Sequence, residues 1–362
     1  MNTYFPEIKK NFGFGMMRLP MVGEEVDISQ TTAMVDAFLE AGFNYFDTAH
    51  PYIRGKSELA IRECLTSRYP RDRYVLANKL SGGCVEKEDD ILPFFQTQLE
   101  CCGVDYFDFY LLHAVSEKQD AHFTKTNAYE VARQLKEQGR VRHLGFSFHD
   151  SADFLDRFLT AHPEMEFVQI QFNYADYEDP NVESRKCYEV CRKHGKPVLI
   201  MEPVKGGSLV NLPQEALELM NNRPAIYAIR YAAGFEGVVM VLSGMSDMAQ
   251  MEDNLSFMTD FSPLNAQEHH IVDQVRTLYQ AQHRIPCTDC RYCVDFCPAG
   301  VPIPTIFALM NRKRAGEGDP DGDYAALSVH ADDCLVCGKC EAQCPQHLRI
   351  RRLLREVTKA FA

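Results

Sequence analysis

The 362-residue chain has no run of 18 apolar residues, so nothing in it reads as a membrane span. It has no excess of positive charge: 38 Lys and Arg stand against 51 Asp and Glu, a formal net charge of −13. A nucleic-acid surface needs the opposite balance, so nucleic acid is not an expected partner. The opening residues, Met1-Asn-Thr-Tyr-Phe-Pro-Glu7, show no charged segment followed by an apolar stretch. No secretory signal is therefore expected, and the expected location is cytoplasmic. Also missing is a G-x-G-x-x-G turn after the first strand-like run, which a doubly wound dinucleotide fold would prefer. The composition is 46% hydrophobic and 25% charged, which supports a large core in a globular enzyme.

Cysteine, by contrast, is concentrated. Eight of the 14 cysteines lie between Cys287 and Cys344, in two runs of identical spacing. The first is Cys287-x2-Cys290-x2-Cys293-x3-Cys297-Pro298, and the second is Cys334-x2-Cys337-x2-Cys340-x3-Cys344-Pro345. Soft thiolates at short steps suit a cubic four-iron four-sulfur (4Fe-4S) cluster, and this spacing is that of the bacterial ferredoxin run. Zinc fits poorly, because zinc sites usually take two separated pairs. A disulfide framework would be odd in a chain of this size without a secretory signal. Two 4Fe-4S clusters are expected.

Upstream, short apolar runs alternate with helical spacing. Strands are expected at Phe12–Met17, Phe43–Asp47, Tyr74–Lys79, Phe107–Leu112, Val141–Ser147, Phe167–Phe172, Pro197–Met201 and Val238–Leu242. Helical patterns fall at Thr31–Ala41, Ser57–Ser67, Asn127–Gln138, Ala152–Ala161 and Glu183–His194. Apolar strands each followed by a helix imply a parallel sheet covered on both faces. Eight such units suit an α/β fold, a closed (β/α)8 TIM barrel, with a doubly wound sheet as runner-up. Residues 1–262 are assigned to the barrel. Residues 263–286 are read as a linker helix, with Ser262 as N-cap and Pro263 as first helical position. Residues 287–362 are read as a small, mainly helical ferredoxin-like domain. Its apolar segment Pro304–Asn311 is followed by a turn-rich loop, Arg314–Asp323.

Chemistry in such a barrel sits at the C-terminal ends of strands. The polar residues there are Asp47, with Tyr52 just beyond it, then Lys79 and His113. Tyrosine is a poor acid near neutrality, but a nearby ammonium stabilises its phenolate. A carboxylate can fix that lysine, and a histidine can orient a carbonyl oxygen. The set is general-acid machinery for a carbonyl receiving hydride.

Over roughly residues 10–260 the sequence resembles the aldo-keto reductase family. The resemblance rests on Gly13-Phe-Gly-Met-Met-Arg-Leu-Pro20, Phe46-Asp-Thr-Ala-His-Pro-Tyr52, Gly55-Lys-Ser-Glu58, Leu112-His113, Leu144-Gly-Phe-Ser147 and Gln169-Ile-Gln-Phe-Asn173. It implies Tyr52 as proton donor, Lys79 and Asp47 as its tuning pair, and His113 as the residue that orients the substrate carbonyl. It implies a nicotinamide dinucleotide, NAD(P)(H), with Ser147 and Gln171 at the carboxamide. Gly206 and Gly207 match the loop near the pyrophosphate. Gly244, Gln250, Asp253 and Asn254 match the adenosine end. Met201 stands after strand seven, where many members stack an aromatic ring on the nicotinamide, and Phe148 stands where many carry Asn. The adenosine segment carries no Lys or Arg for a 2′-phosphate, so NAD(H) is favoured.

The two cysteine runs likewise resemble two-cluster ferredoxins, in which the fourth cysteine of each run serves the other cluster. That implies one ligand set of Cys287, Cys290, Cys293 and Cys344, and another of Cys334, Cys337, Cys340 and Cys297. Clusters pass single electrons, whereas a nicotinamide delivers two together. The primary reading is a carbonyl or alcohol oxidoreductase with a small-molecule substrate and an appended electron-transfer or structural domain. The alternatives are an electron-transfer protein whose clusters feed a barrel-bound flavin, and a cluster-stabilised binding protein without redox turnover. Arg349, Arg351, Arg352 and Arg355 read as a solvated basic helix face or a docking site for an acidic electron carrier, a ferredoxin or flavodoxin. Cys187 and Cys191, four apart on an expected helix, read as core residues.

Overall fold

The computed structural model describes residues 4–362. Its strands are β1 (Phe12–Gly15), β2 (Tyr45–Asp47), β3 (Val75–Ser81), β4 (Phe107–Val115), β5 (Val141–Phe148), β6 (Val168–Gln171), β7 (Val198–Met201) and β8 (Val238–Ser243). They run parallel in sequence order and close on themselves, with β1 bonded to both β8 and β2. The closed barrel, rather than an open doubly wound sheet, is therefore the fold. A two-stranded hairpin, Met21–Val22 with Glu25–Val26, follows β1 and was not visible in the apolar pattern.

The chain forms two compact units. The first contains residues 4–178, 183–203 and 226–265, and so all eight strands. The second contains 179–182, 204–225 and 266–362. Segment 204–225 and the helix Ala266–Ala281, read from sequence as barrel loop and linker, pack within the second unit. That helix also starts later than Ser262-Pro263 suggested. Arg230 takes the carbonyls of both residues, at 2.8 and 3.1 Å, which keeps them outside the helix.

Strand residues two apart share a face, so the barrel interior can be read by parity. At its base Tyr45, Val75, Ala77, Phe109, Leu111, Phe167, Leu199 and Leu242 pack together. Phe5 and Ile8 from the N-terminal segment close this layer from below. Counting on by two from these residues reaches Asp47, Lys79, Ser81, His113, Gln171 and Met201. The base is thus largely apolar, with His143 as a polar exception, and most polar interior positions collect at the C-terminal ends.

In the second unit, Ile285, Val301, Ile303, Ile306, Phe307, Ile350, Leu354 and Val357 form a core joined by Cys293 and Cys340. Its main helices are Ala266–Ala281, Ile303–Ala315 and Ile350–Ala360. Asn311 clamps the segment before Cys287: its side chain accepts from Ile285 N at 2.7 Å and donates to Ile285 O at 3.0 Å. The loop expected over Arg314–Asp323 already contains the start of a helix, Pro320–Ala325. Asp319 caps it by accepting from Gly322 N, and proline sits at its first position.

One ionic cluster ties the barrel base together. His143 on β5 lies 2.5 Å from Glu7 and 3.1 Å from Glu166. Burial alone would lower the imidazole pKa, but the two carboxylates overcome it and hold His143 at about 9. Glu7 and Glu166 are lowered: burial opposes this, and their bonds to His143 prevail. The folded-state pKa of His143 exceeds its unfolded value of about 6.5. Its stabilisation is therefore complete below about pH 6.5 and lost as pH rises through about 9. The carboxylates' share is present above about pH 4.5 and lost as pH falls. We expect His143→Gln to flatten the alkaline limb of stability, removing a slope worth up to about 3 kcal/mol between those limits. Denaturant unfolding at pH 6 and pH 9 checks this, and an unchanged slope would disprove it.

Candidate active site and cysteine cavities

The Lys79 Nζ donates to Asp47 Oδ1 at 2.7 Å and to the carbonyl of Thr48 at 2.8 Å. Both side chains are buried, at 0% and 4% exposure. Burial draws each towards its neutral form, Asp47 upward and Lys79 downward, and each partner's charge resists that drift. The same Lys79 Nζ lies 4.9 Å from the centroid of the Tyr52 ring. Tyr52 and His113 meet edge to face at 6.0 Å. The structure thus brings Asp47, Tyr52, Lys79 and His113 together.

Local backbone geometry sets these positions. Tyr52 opens a tight turn in which Ile53, Arg54 and Gly55 all hold left-handed conformations, with φ of 50°, 54° and 86°. Only glycine takes that conformation without cost, so the turn stores strain of roughly 1–2 kcal/mol per non-glycine residue. Hydrogen bonds hold it in place: Thr48 Oγ1 and Ser57 Oγ are 2.7 Å apart, and Ser57 Oγ donates to Met16 O at 2.9 Å. His50, on the same loop, bonds the fully buried Glu58 at 2.7 Å. Its pKa is raised, chiefly by that hydrogen bond.

His113 sits where β4 departs from regular register with β5, between Leu112 and Val115. The next residue, Ala114, is left-handed at φ 57°, and its N–H donates to Ser147 Oγ at 2.8 Å. Such irregularities re-aim side chains beside active sites. His113 Nδ1 lies 2.6 Å from Ser81 Oγ. Burial, with help from Lys79 and His149, pushes the imidazole pKa well below its ordinary value, so the ring is neutral at pH 7. A neutral ring carries one N–H. The Ser81 hydroxyl can donate to Nδ1, which puts that hydrogen on Nε2. Ser81 escaped the sequence reading, although parity along β3 places it one inward position past Lys79.

The residues matched to a dinucleotide are distributed unevenly. Ser147 and Gln171 are buried at the ends of β5 and β6. Gln171 Nε2 donates to Asp176 at 2.7 Å, and Asn173 Nδ2 donates to the same carboxylate oxygen at 2.7 Å. Asp176 thereby fixes which face of the Gln171 amide is oxygen, a role no sequence pattern announced. Met201 ends β7 and its sulfur meets Gln169 Nε2 at 3.6 Å. Asn254 is buried and donates to Ser243 Oγ at 2.9 Å, tying the helix Met248–Met258 to β8. Gln250 bonds Ser246 N and Asp247, while Asp253 on the same helix is half-buried. Gly244 lies against the Arg18 side chain, which a Cβ there would meet at 3.2 Å. Arg18 is thus a cation beside the adenosine segment that the segment's own sequence does not contain. Asp47 Oδ2 is buried with no hydrogen-bond partner among the described residues, so a hydroxyl donor would be welcome there.

Gly206 and Gly207 belong to the second unit. Gly206 has φ 61°, and a Cβ would stand 2.4 Å from the carbonyl oxygen of Thr288. Glycine is required there for close packing against the segment between Cys287 and Cys290.

The eight clustered cysteines line two cavities. Cys287, Cys290, Cys293 and Cys344 line one, with the buried polar side chains of Thr288 and Gln346. Cys297, Cys334, Cys337 and Cys340 line the other, among Pro298, Val301 and Leu354. Each cavity draws three cysteines from one run and one from the other. Among the described residues no three or more His, Cys, Asp or Glu side chains close around one point as a single ion requires. A cubic cluster instead spreads its four sulfurs over separate corners, which suits these walls. Burial pushes the Cys340 thiol up to about 11. Cys187 and Cys191 are buried on the helix Ser184–Lys193, in the barrel unit.

Comparison with known proteins agrees with this architecture. Residues 11–277 match the aldo/keto reductase family, and residues 286–348 match the 4Fe-4S dicluster domain. The chain belongs to the aldo/keto reductase family and is an oxidoreductase carrying a 4Fe-4S domain. It is similar to the 9,11-endoperoxide prostaglandin H2 reductase of Trypanosoma cruzi, at 23% identity over 72% of this chain and 88% of that protein. It is similar to a methylglyoxal reductase of Yersinia pestis at 32% identity, over 41% of this chain and half of that protein. A Mycolicibacterium smegmatis aldo-keto reductase matches at 29% identity over 39% of this chain and half of its own length. In fold it resembles the holo form of a Bacillus halodurans aldo-keto reductase, with TM-score 0.60 and 23% identity, covering 74% of this chain and 92% of that one. A Klebsiella pneumoniae aldo-keto reductase in complex with NADPH has TM-score 0.60 and 19% identity, covering 74% and 95%.

Ser81 generates a test. Ser81→Ala removes one hydrogen bond, worth about 1 kcal/mol, so kcat/KM should fall about five- to tenfold. Nitrogen NMR of His113 should show the Nδ1–H tautomer gaining population, and Ser81→Thr should restore both readouts. An unchanged tautomer would show that Ser81 does not position the ring.

Proposed function

We propose that the chain interconverts an aldehyde or ketone and its alcohol, with Tyr52 as the proton donor in the reducing direction. The convergence of Tyr52, the Lys79–Asp47 pair and neutral His113 at one end of the barrel carries this reading. A nicotinamide dinucleotide, when bound, supplies or accepts the hydride. The Tyr52 hydroxyl passes its proton to the carbonyl oxygen as that oxygen gains charge. The Lys79 ammonium, held by Asp47 and the Thr48 carbonyl, stabilises the phenolate that remains. His113 holds the carbonyl oxygen by its Nε2–H without adding a second positive charge beside Lys79. Ser147 and Gln171 hold the carboxamide: the serine hydroxyl donates, and Asp176 leaves the Gln171 oxygen to accept.

The same proposal assigns Cys287, Cys290, Cys293 and Cys344 to one 4Fe-4S cluster and Cys334, Cys337, Cys340 and Cys297 to a second. The grouping of these sulfurs around two cavities, three from one run and one from the other at each, supports it. Such clusters supply one-electron chemistry when bound. Tyr52→Phe keeps the ring and removes the acid. Carbonyl reduction should drop roughly 10²–10⁴-fold, with both cluster signals intact by electron paramagnetic resonance. Undiminished turnover would refute the role of Tyr52.

Cofactor preference turns on two opposed charges. Asp247 caps the helix of the adenosine segment and repels a ribose 2′-phosphate, whereas Arg18 lies beside Gly244. We assign Arg18 to the pyrophosphate, which both dinucleotides share. NAD(H) should then bind at least as well as NADP(H), and Arg18→Ala should weaken both about tenfold or more. Fluorescence titration with each decides it. A loss confined to NADP(H) would move Arg18 to the 2′-phosphate and overturn the preference. Binding of neither would favour a flavin in the barrel, a reading that Met201 in place of an aromatic ring keeps in view.

A further inference from the structure

We propose that the surface over the second cysteine cavity is a docking site for a small acidic one-electron carrier protein. The proposal rests on the two-cluster reading above and adds a face and a partner chemistry to it. Among the eight cysteines lining the cavities, Cys337 is the one exposed to solvent. The residues just before it, Leu335 and Val336, are 67% and 54% exposed. They are among the few large apolar side chains left in water. Val336 is held left-handed at φ 55°, a genuine outlier for a β-branched residue. Its N–H lies 3.4 Å from Cys334 Sγ, so the strained loop is pinned to the cavity it covers. Asp289 holds the same place in the first run at φ 51°, so the left-handed turn belongs to the cysteine spacing, and the two apolar side chains exposed here are what packing leaves unexplained.

The rim supplies the sign of the partner. Residues 334–362 contain six Lys and Arg against two Asp and Glu, in a chain whose net charge is −13. The helix Ile350–Ala360 turns Ile350, Leu354 and Val357 inward and leaves Arg351, Arg352, Arg355 and Lys359 exposed. Arg351 reaches back to the loop: a Cβ on Gly338 would stand 3.5 Å from its guanidinium, and it pairs with Glu341. The basic face and the apolar tip are therefore contiguous. Redox encounters use small interfaces, under about 1,200 Å², in which charge steers the approach. A two-residue apolar centre with a basic rim fits an acidic protein of that kind.

The test uses the full chain, purified anaerobically with its clusters, and an acidic flavodoxin as probe. Calorimetric titration should show binding that weakens at least tenfold between low salt and about 0.3 M salt. The triple variant Lys339→Glu, Arg352→Glu, Arg355→Glu should lose at least tenfold in affinity. Leu335→Ser with Val336→Ser should also weaken binding, with no change in its salt dependence. Both variants should keep the cluster signals of the parent chain. Intact signals with unchanged affinity would overturn the docking site and leave the cluster reading standing. Binding of the basic face to phosphatidylglycerol vesicles, without flavodoxin binding, would also overturn it. Absence of cluster signals from the parent chain would overturn the cluster reading and this inference with it.

Discussion

The buried ion pair between Lys79 and Asp47 is the constraint on which the barrel's upper half depends. Two charges removed from water are costly, and they persist only where each finds the other and a further hydrogen bond. Here the further bond is the Thr48 carbonyl, the first backbone group beyond β2. One ammonium therefore fixes three things: the end of β2, the course of the loop leaving it, and the electrostatics beneath the Tyr52 ring. Removing either partner would strand a charge at a cost of about 3–5 kcal/mol. A methionine–leucine pair could fill the same volume more cheaply, but it could not steady a phenolate.

Around that pair, the supporting shell is polar and sealed. Asn78 and Gln98 both donate to Glu58, at 2.8 and 3.3 Å, and Tyr110 donates to Gln98 at 2.6 Å. These side chains lie behind β3, on the face away from the barrel axis, and Gln98 Nε2 also takes the carbonyl of Lys79 at 3.0 Å. The backbone of Lys79 is thus held from the helix layer while its side chain is held from inside. Fully satisfied networks of this kind rigidify a site in a low-dielectric interior.

Much of this was legible in the sequence, for definite reasons. All eight strands announced themselves because parallel strands covered on both faces are nearly continuous apolar runs. Asp47, Lys79 and His113 were legible because a polar residue ending such a run has few places to go except the barrel mouth. The cysteine spacing stated its own chemistry. What escaped was whatever depends on two distant segments meeting. Arg18 reaches Gly244 from the far end of the sequence, and Asp176 orients Gln171 through a turn with no periodic signature. Ser262 and Pro263 have the composition of a helix start, yet Arg230 claims their carbonyls. That Gly206 must be glycine because the Thr288 backbone stands where a side chain would be was equally illegible.

The mixed walls of the two cavities have a consequence for how the molecule is made. When Cys297 has left the ribosome, three walls of one cavity and a single wall of the other exist. The barrel strands are by then complete and can fold. The second cavity has its four cysteines once Cys340 emerges, and the first gains its fourth only with Cys344, 47 residues after Cys297 and shortly before the helix Ile350–Ala360. During that interval half-built thiol sites are exposed on a finished barrel. Metal insertion therefore waits for the second cysteine run, and the two cavities acquire their last cysteines in turn, four residues apart.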